Sequence, residues 1–233
     1  MQQNSPMQQN NKTTLQPRTD QMTPSNRPQQ TMNGVSGSPS MNHGGHELFD
    51  VHEVLSGTIN VLDQFMMFRQ YVQDPELLDI LDRQYQQILD GYNAMAETFT
   101  TGRAPSQSPA PYQGTQNNQV VYGVQPTQPK KPNQSLSDIK DQGISGHMLG
   151  LIKSAGSLLA MSSVEVTNPA MRYLMAHSVP CYIEMAHEIF LYQNKHRYYQ
   201  VAQLTESDMQ HMLTSYASAT GQPTWPKAKM TLQ

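Results

Sequence analysis

A helical hairpin that occurs twice is the sequence feature that most restricts how this chain can fold. Asp74-Pro75 and Asn168-Pro169 stand 94 positions apart, and each places a capping side chain before a proline, which favours a helix start. Residues that repeat at steps of four and three follow each start: Leu81, Tyr85, Ile88, Tyr92, Met95 and Phe99, and then Met171, Met175, Ser178, Tyr182, Met185, Ile189 and Tyr192. This spacing predicts helices with one apolar face. Since neither hairpin can bury such a face alone, we expect them to dock as a ferritin-like four-helix bundle.

Polar segments of low complexity surround the two hairpins. They consist largely of Gln, Asn, Pro, Ser and Thr without periodicity, and cannot bury enough apolar surface to offset the entropy of ordering the chain. The longest internal one, residues 103–135, would serve as the crossover of a ferritin-like topology. The predicted organisation of this all-α chain is a disordered tail (1–45), a first hairpin (46–102), a disordered linker (103–135), a second hairpin (136–204), a C-terminal helix (205–220) and a tail (221–233).

The composition argues against several classes of partner and site. Charged residues make up 14% of the chain and the net charge is -3, so we expect no nucleic-acid partner. No stretch approaches the roughly 18 apolar residues of a membrane span. The N-terminus lacks the apolar segment of a signal peptide, so we expect synthesis without one. Cys181 is the only cysteine, which excludes an intrachain disulfide.

Glu184-x-x-His187 is a pattern that could indicate metal chemistry. A carboxylate and an imidazole one helical turn apart can reach the same ion, and di-iron bundles carry this pair on each of two helices. The first hairpin has Asp90 and Asn93 at the equivalent positions, and an asparagine is a poor substitute for an imidazole. Glu165, a further candidate, has no matching carboxylate there. We therefore expect no catalytic residue, no cofactor and no bound metal, with Glu165, Glu184 and His187 as the candidate ligands if a metal does bind.

The second hairpin also carries short motifs in a defined order. They are Thr167-Asn168-Pro169-x-Met171-Arg172, His187-Glu188-x-Phe190, Tyr192-Gln193-Asn194 and Tyr198-Tyr199, with SDIKDQGISGHMLGLIKS upstream. In order and spacing, residues 136–204 resemble the spore coat protein F family (CotF-like, coat F domain) of endospore-forming bacteria. The resemblance implies a ferritin-like helical fold and a sporulation-linked role in the spore coat or the forespore.

The resemblance and the incomplete set of metal ligands together favour one function. We expect a structural, non-catalytic spore protein that acts through contacts with other spore or coat proteins, or with further copies of itself as a homo-oligomer. Two alternatives remain open. One is a ferritin-like metal-binding or redox protein with a degenerate di-iron site, and the other is an adaptor that recruits other spore proteins.

Overall fold

The computed structural model describes residues 41–115 and 117–224. Most of the two predicted tails, 1–45 and 221–233, therefore lies outside the described residues. Within them the chain is all-helical, as predicted, and contains no β-strand. The helices are α1 (Gly45–Arg69), α2 (Pro75–Thr101), α3 (Asp141–Ser163), α4 (Pro169–Lys195) and α5 (Glu206–Leu213), with a short 3-10 helix at Leu136–Asp138. No helix in this part of the chain is long and apolar enough to cross a membrane.

The two predicted helix starts are capped by their own side chains. The Asp74 carboxylate accepts a hydrogen bond from the Glu76 N–H at 2.9 Å, and the Asn168 amide oxygen accepts from Ala170 N–H at 2.9 Å. The prolines that follow occupy the first helical position, where a missing N–H costs nothing. Gly102 ends α2 with a φ of 65°, a left-handed conformation that glycine adopts without steric cost.

The four long helices share one apolar core. Helix α1 packs against α2 and α3, and α4 packs against the same two helices. The Lys195 ammonium at the end of α4 lies 2.7 Å from the Glu76 carboxylate at the start of α2, so these two helices are antiparallel. The largest fully buried side chains come from all four: Phe65, Leu77, Ile80, Leu81, Ile88, Met95, Met148, Ile152, Leu159, Met171, Met175 and Tyr192. The two predicted apolar stripes therefore face the interior.

The C-terminal helix differs from its prediction. It ends at Leu213 rather than near residue 220 and contains no buried residue. Its apolar side chains do not pack into the core, since Met212 and Leu213 are 62% and 77% exposed. The Thr205 side chain caps the helix by accepting from the Asp208 N–H at 3.2 Å, so local capping sets its start without tertiary burial.

The described residues of the segment 103–135 form no α-helix, but several of them are held against the bundle. Tyr112 is buried, and Val121 exchanges two hydrogen bonds with the Asn194 side chain, at 2.6 Å through its N–H and at 3.0 Å through its C=O. A single bridge pairs Tyr122 with Val201. The sequence predicted disorder throughout this segment and did not predict these contacts.

Candidate functional site

A buried carboxylate lies between α2 and α4. Glu188, on α4, is 1% exposed and has its Oε1 2.8 Å from Nη2 of Arg83 on α2. The Gln84 amide donates to the other oxygen of Glu188 at 3.3 Å. Arg83 also pairs with Asp79, one turn earlier on α2, at 2.8 Å. The two helices are thus joined by a charge-assisted contact in which the carboxylate is buried and the Arg83 side chain is 27% exposed.

Two residues of the segment 103–135 also contact this ion pair. The Tyr112 hydroxyl donates to Oε2 of Glu188 and accepts from Nη1 of Arg83 at 2.8 Å. The Thr115 N–H donates to Oε1 of Glu188 at 2.9 Å. We call Arg83, Gln84, Tyr112, Thr115 and Glu188 the ionic centre.

The electrostatics of the ionic centre keep Glu188 charged. Burial alone would raise the pKa of Glu188, but hydrogen bonds from Arg83, Tyr112 and the Thr115 N–H, with the positive charge of Arg83, lower it below its ordinary value. Burial and the neighbouring carboxylate raise the pKa of Tyr112, so its hydroxyl remains a donor. The carboxylate is fully occupied by protein donors, and the recess outside it is lined by Tyr112 and Glu184 but not by Glu188.

A second buried carboxylate ties the start of the first hairpin to the turn of the second. Glu47, in the first turn of α1, accepts hydrogen bonds from the Thr167 N–H at 2.8 Å and the Asn168 N–H at 2.9 Å. Burial would raise the pKa of Glu47, but hydrogen bonds from Thr167, His43 and the Asn168 N–H lower it. The turn that precedes α4 thus depends on a side chain 120 residues away in sequence.

An equivalent contact occurs at the opposite end of the bundle, where the second hairpin supplies the acid and the first hairpin supplies the turn. Asp141, in the first turn of α3, accepts from the Gln73 N–H at 2.9 Å and the Asp74 N–H at 3.1 Å. Asp141 stands 94 positions after Glu47, and residues 73 and 74 stand 94 positions before residues 167 and 168. The internal repeat seen in the sequence is therefore also a repeat of tertiary contacts, in which each hairpin caps the turn of the other.

The structure does not bring the three predicted metal-ligand candidates together. Glu184 and His187 are exposed on α4, and the His187 ring stacks on Phe190 with 5.8 Å between ring centroids. Glu165 lies in the turn before α4, where its carboxylate is 2.9 Å from Nδ1 of His46. Glu184 is 19 residues further along the chain, on the middle of α4. That these residues hold no metal stays a prediction.

Glu165 belongs instead to a small polar cluster at the surface. His46 lies 3.2 Å from a carboxylate oxygen of Asp50 as well as 2.9 Å from Glu165. These three ligand atoms lie within 4.8 Å of one another, so the group has the composition of a metal site. His46 lies within ion-pair distance of both carboxylates, and the buried Oδ2 atom of Asp50 has no hydrogen-bond partner within the described residues. The cluster links α1 to the turn before α4, near Glu47.

Comparison with known proteins places the chain in a family. Residues 140–202 match the family model described as the Coat F domain. The chain is also 57% identical over 189 residues to spore coat protein F-like protein YhcQ of Bacillus subtilis, an alignment that covers 81% of this chain and 87% of that protein. The chain belongs to the coat F family. No solved structure shows significant similarity to it.

The family resemblance predicted from residues 136–204 is confirmed, and the similarity extends beyond them. An alignment of 189 residues cannot fit between residue 136 and the end of a 233-residue chain, so it includes the first hairpin. Arg83, Gln84 and Glu188 of this coat F protein therefore all lie in the part of the chain that the relationship spans.

Sequence reasoning missed the contacts that join Arg83, Tyr112 and Glu188. A signal for Glu188 was present, because it follows Met185 by three residues and precedes Tyr192 by four, which places it at the edge of the apolar stripe of α4. Tyr112 gave no comparable signal, since it stands in a Pro- and Gln-rich segment without periodicity. Glu47 stands at the third position of α1, where an acid usually caps its own helix, so the sequence carried no sign of its contact with the second hairpin.

Acid should destabilise this coat F protein through Glu47 and Glu188. Folding lowers the pKa of both carboxyl groups, so the unfolded chain binds protons more readily. The resulting stabilisation is complete above the unfolded pKa and is lost as pH falls through the folded pKa. We expect the free energy of unfolding, measured by urea denaturation, to decline as pH drops below about 4.5. The Glu47→Gln/Glu188→Gln variant should decline less steeply, and an equal slope would contradict this assignment.

Removal of one hydroxyl should loosen the crossover of the coat F protein. Tyr112→Phe deletes the donor to Glu188 and the acceptor for Arg83, a loss of about 1–2 kcal/mol of local stability. Amide hydrogen exchange at Thr115 should become about tenfold faster, since local opening controls exchange. Tyr122→Phe is the matched control, because that side chain is 55% exposed, and it should leave the rate unchanged. Equal rates in both variants would argue against the role of Tyr112.

Proposed function

We propose that this protein is a structural, non-catalytic component of the bacterial spore, in the coat or the forespore, that acts through protein–protein contacts. Family membership carries the proposal, because the relative that is 57% identical is named a spore coat protein F-like protein. The ionic centre is consistent with it, since its carboxylate is held by protein donors in a closed arrangement rather than directed into an open cleft. A reactive carboxylate would need access to a substrate atom.

The arrangement of the helices supports a ferritin-like topology. Helix α2 returns antiparallel to α1, and α4 is antiparallel to both α2 and α3. The contact of Glu47 with Thr167 places the starts of α1 and α4 at the same end. The order of directions is thus up, down, down, up, with the segment 102–140 as the long crossover that ferritin-like bundles use.

An exposed apolar stripe on α1 supports the proposed protein–protein contacts. Leu48, Ile59 and Met66 are 40%, 43% and 58% exposed, and the partly buried Leu55 lies between the first two. Steps of seven, four and seven residues place all four side chains on one face of a helix. Exposed apolar side chains in a continuous row are typical of surfaces that bind another protein.

Incorporation into spores tests the proposal with a matched pair of variants. The full chain, expressed with a fluorescent fusion in a sporulating host, should follow the forming spore and be recovered with its coat or core fractions. Ile59→Ser/Met66→Ser should reduce that recovery, whereas Val164→Ser, a change at an 80% exposed residue outside the stripe, should not. Protein that stays in the mother-cell cytoplasm throughout sporulation would overturn the structural role.

The metal-binding alternative rests on the cluster of His46, Asp50 and Glu165. One imidazole and two carboxylates are ligands that Zn²⁺, Mn²⁺ and Fe²⁺ accept in proteins. Metal analysis of untagged protein separates the alternatives. Near-stoichiometric iron, zinc or manganese that is lost in His46→Ala would favour the metal-binding protein, and its absence would favour the structural one. The adaptor alternative predicts instead that one partner leaves the spore when this protein is deleted.

A further inference from the structure

A basic recess lies between the crossover, the start of α3 and the segment that follows α4. It encloses about 1000 Å³ between residues 127–133, the first turns of α3 and the segment after α4. Four cationic side chains line it: Lys130, Lys131, Lys140 and Arg197. The whole chain carries a net charge of -3, so this local concentration of positive charge runs against the overall balance. We call it the basic recess.

These four positive charges have no ion-pair partner among residues 41–115 and 117–224. The arginine and lysine ion pairs in that part of the chain are those of Arg69, Arg83 and Lys195. Asp138 lines the basic recess as well, but its carboxylate accepts hydrogen bonds at 3.0 Å from the N–H groups of Gln134 and Ser135. The Asp138 carboxylate, whose pKa is lowered chiefly by these hydrogen bonds and also by the Lys140 charge, offsets one of the four positive charges, so a net charge of about +3 remains in the lining and a bound anion would relieve its repulsion.

Arg197 adopts a backbone conformation that arginine rarely adopts. Its φ is 61°, and it is the one non-glycine residue with a positive φ in the described part of the chain. It follows the last turn of α4, where the chain leaves a helix and glycine is the usual residue. A glycine there would avoid the strain, so the presence of an arginine is an outlier that points to a role for its side chain. That side chain contributes to the lining of the basic recess.

We propose that the basic recess binds a small anion with two or more carboxylate or phosphate groups. A guanidinium binds such groups through two parallel hydrogen bonds, and lysines add point charges that can adjust their position. The volume matches that of sites for small molecules. A nucleic acid would require a basic stripe along an extended face, whereas the surface charge of this chain is negative overall.

Calorimetric titration of the full chain with pyrophosphate and with citrate, at constant ionic strength, tests the proposal. We expect saturable binding of one equivalent of at least one of the two, and the one that binds identifies phosphate or carboxylate as the recognised group. Arg197→Gly removes a charged donor at a position where glycine suits the backbone, so it should fold and bind about tenfold more weakly. Arg172→Gln removes an equal charge from an exposed position on α4 and should bind like the wild type.

Two results would overturn the proposal. The first is the absence of saturable binding of both anions to a chain whose helical circular dichroism is intact. The second is an equal loss of affinity in Arg172→Gln and Arg197→Gly, which would indicate attraction by net charge alone. Lys130→Gln/Lys131→Gln provides an independent check, because these residues lie in the crossover outside every helix, and the change should weaken binding without altering helix content.

Discussion

Replacement of Arg83 by methionine is expected to lower the free energy of unfolding by about 3 kcal/mol. The change leaves the Glu188 carboxylate, which is 1% exposed, without its opposite charge and without its hydrogen bond at 2.8 Å. An unpaired buried charge is more costly than the pair was favourable, because water cannot reach it. Urea denaturation followed by circular dichroism at neutral pH measures the loss.

The exposed Arg69 provides the matched control. Its guanidinium makes two hydrogen bonds to the Asp82 carboxylate, at 2.8 and 2.9 Å, but both side chains are about half exposed. Arg69→Met should therefore cost less than about 1 kcal/mol. The Arg83→Met/Glu188→Leu double variant should recover much of the loss in Arg83→Met, since it removes the unpaired charge. Equal losses in Arg69→Met and Arg83→Met would show that burial is not the source of the effect.

Replacement of Glu47 by alanine should have the second largest effect, about 2–3 kcal/mol. Glu47 is fully buried and receives hydrogen bonds from the Thr167 and Asn168 N–H groups, and the Asn168 N–H has no access to water. Its removal leaves these donors unpaired in the turn that starts α4. The loss should appear in urea denaturation and as faster hydrogen exchange at Asn168.

Asp141→Ala is the equivalent change in the other hairpin and should cost less, about 1 kcal/mol. The Gln73 N–H, which donates to the Asp141 carboxylate, is exposed, so water can replace the carboxylate as the acceptor. A larger loss in Asp141→Ala than in Glu47→Ala would contradict the argument from burial. The comparison is well matched, because both acids stand in the first turn of a helix and bind the same two positions of the repeat.

Much of the fold was predictable because local signals and tertiary packing agree. Asp74-Pro75 and Asn168-Pro169 predicted two helix starts, and the apolar steps after them predicted the faces that are now buried, including Met95 and Met175. The repeat of 94 residues also contained the two capping acids. Only the structure shows that each acid binds the turn of the other hairpin, since a carboxylate in the first turn of a helix usually stabilises that helix alone.

The ionic centre could not be predicted, because its members come from three separate segments. Arg83 and Glu188 are 105 residues apart, and no local pattern pairs one with the other. Tyr112 lies in a segment whose composition predicts disorder, yet it is buried because it satisfies a charge in the bundle. The opposite error occurred in the C-terminal helix, which was predicted to run from residue 205 to 220 but ends at Leu213 and buries no residue.

The two hairpins are held together by contacts outside the middle of the crossover. Residues 126–133 are exposed and make no hydrogen bond within the described part of the chain. The contacts of Glu47, Asp141 and Glu188 that join the hairpins lie elsewhere. A protease cut within residues 126–133 would therefore leave two fragments that remain associated through these contacts, as the two subunits of a heterodimer do.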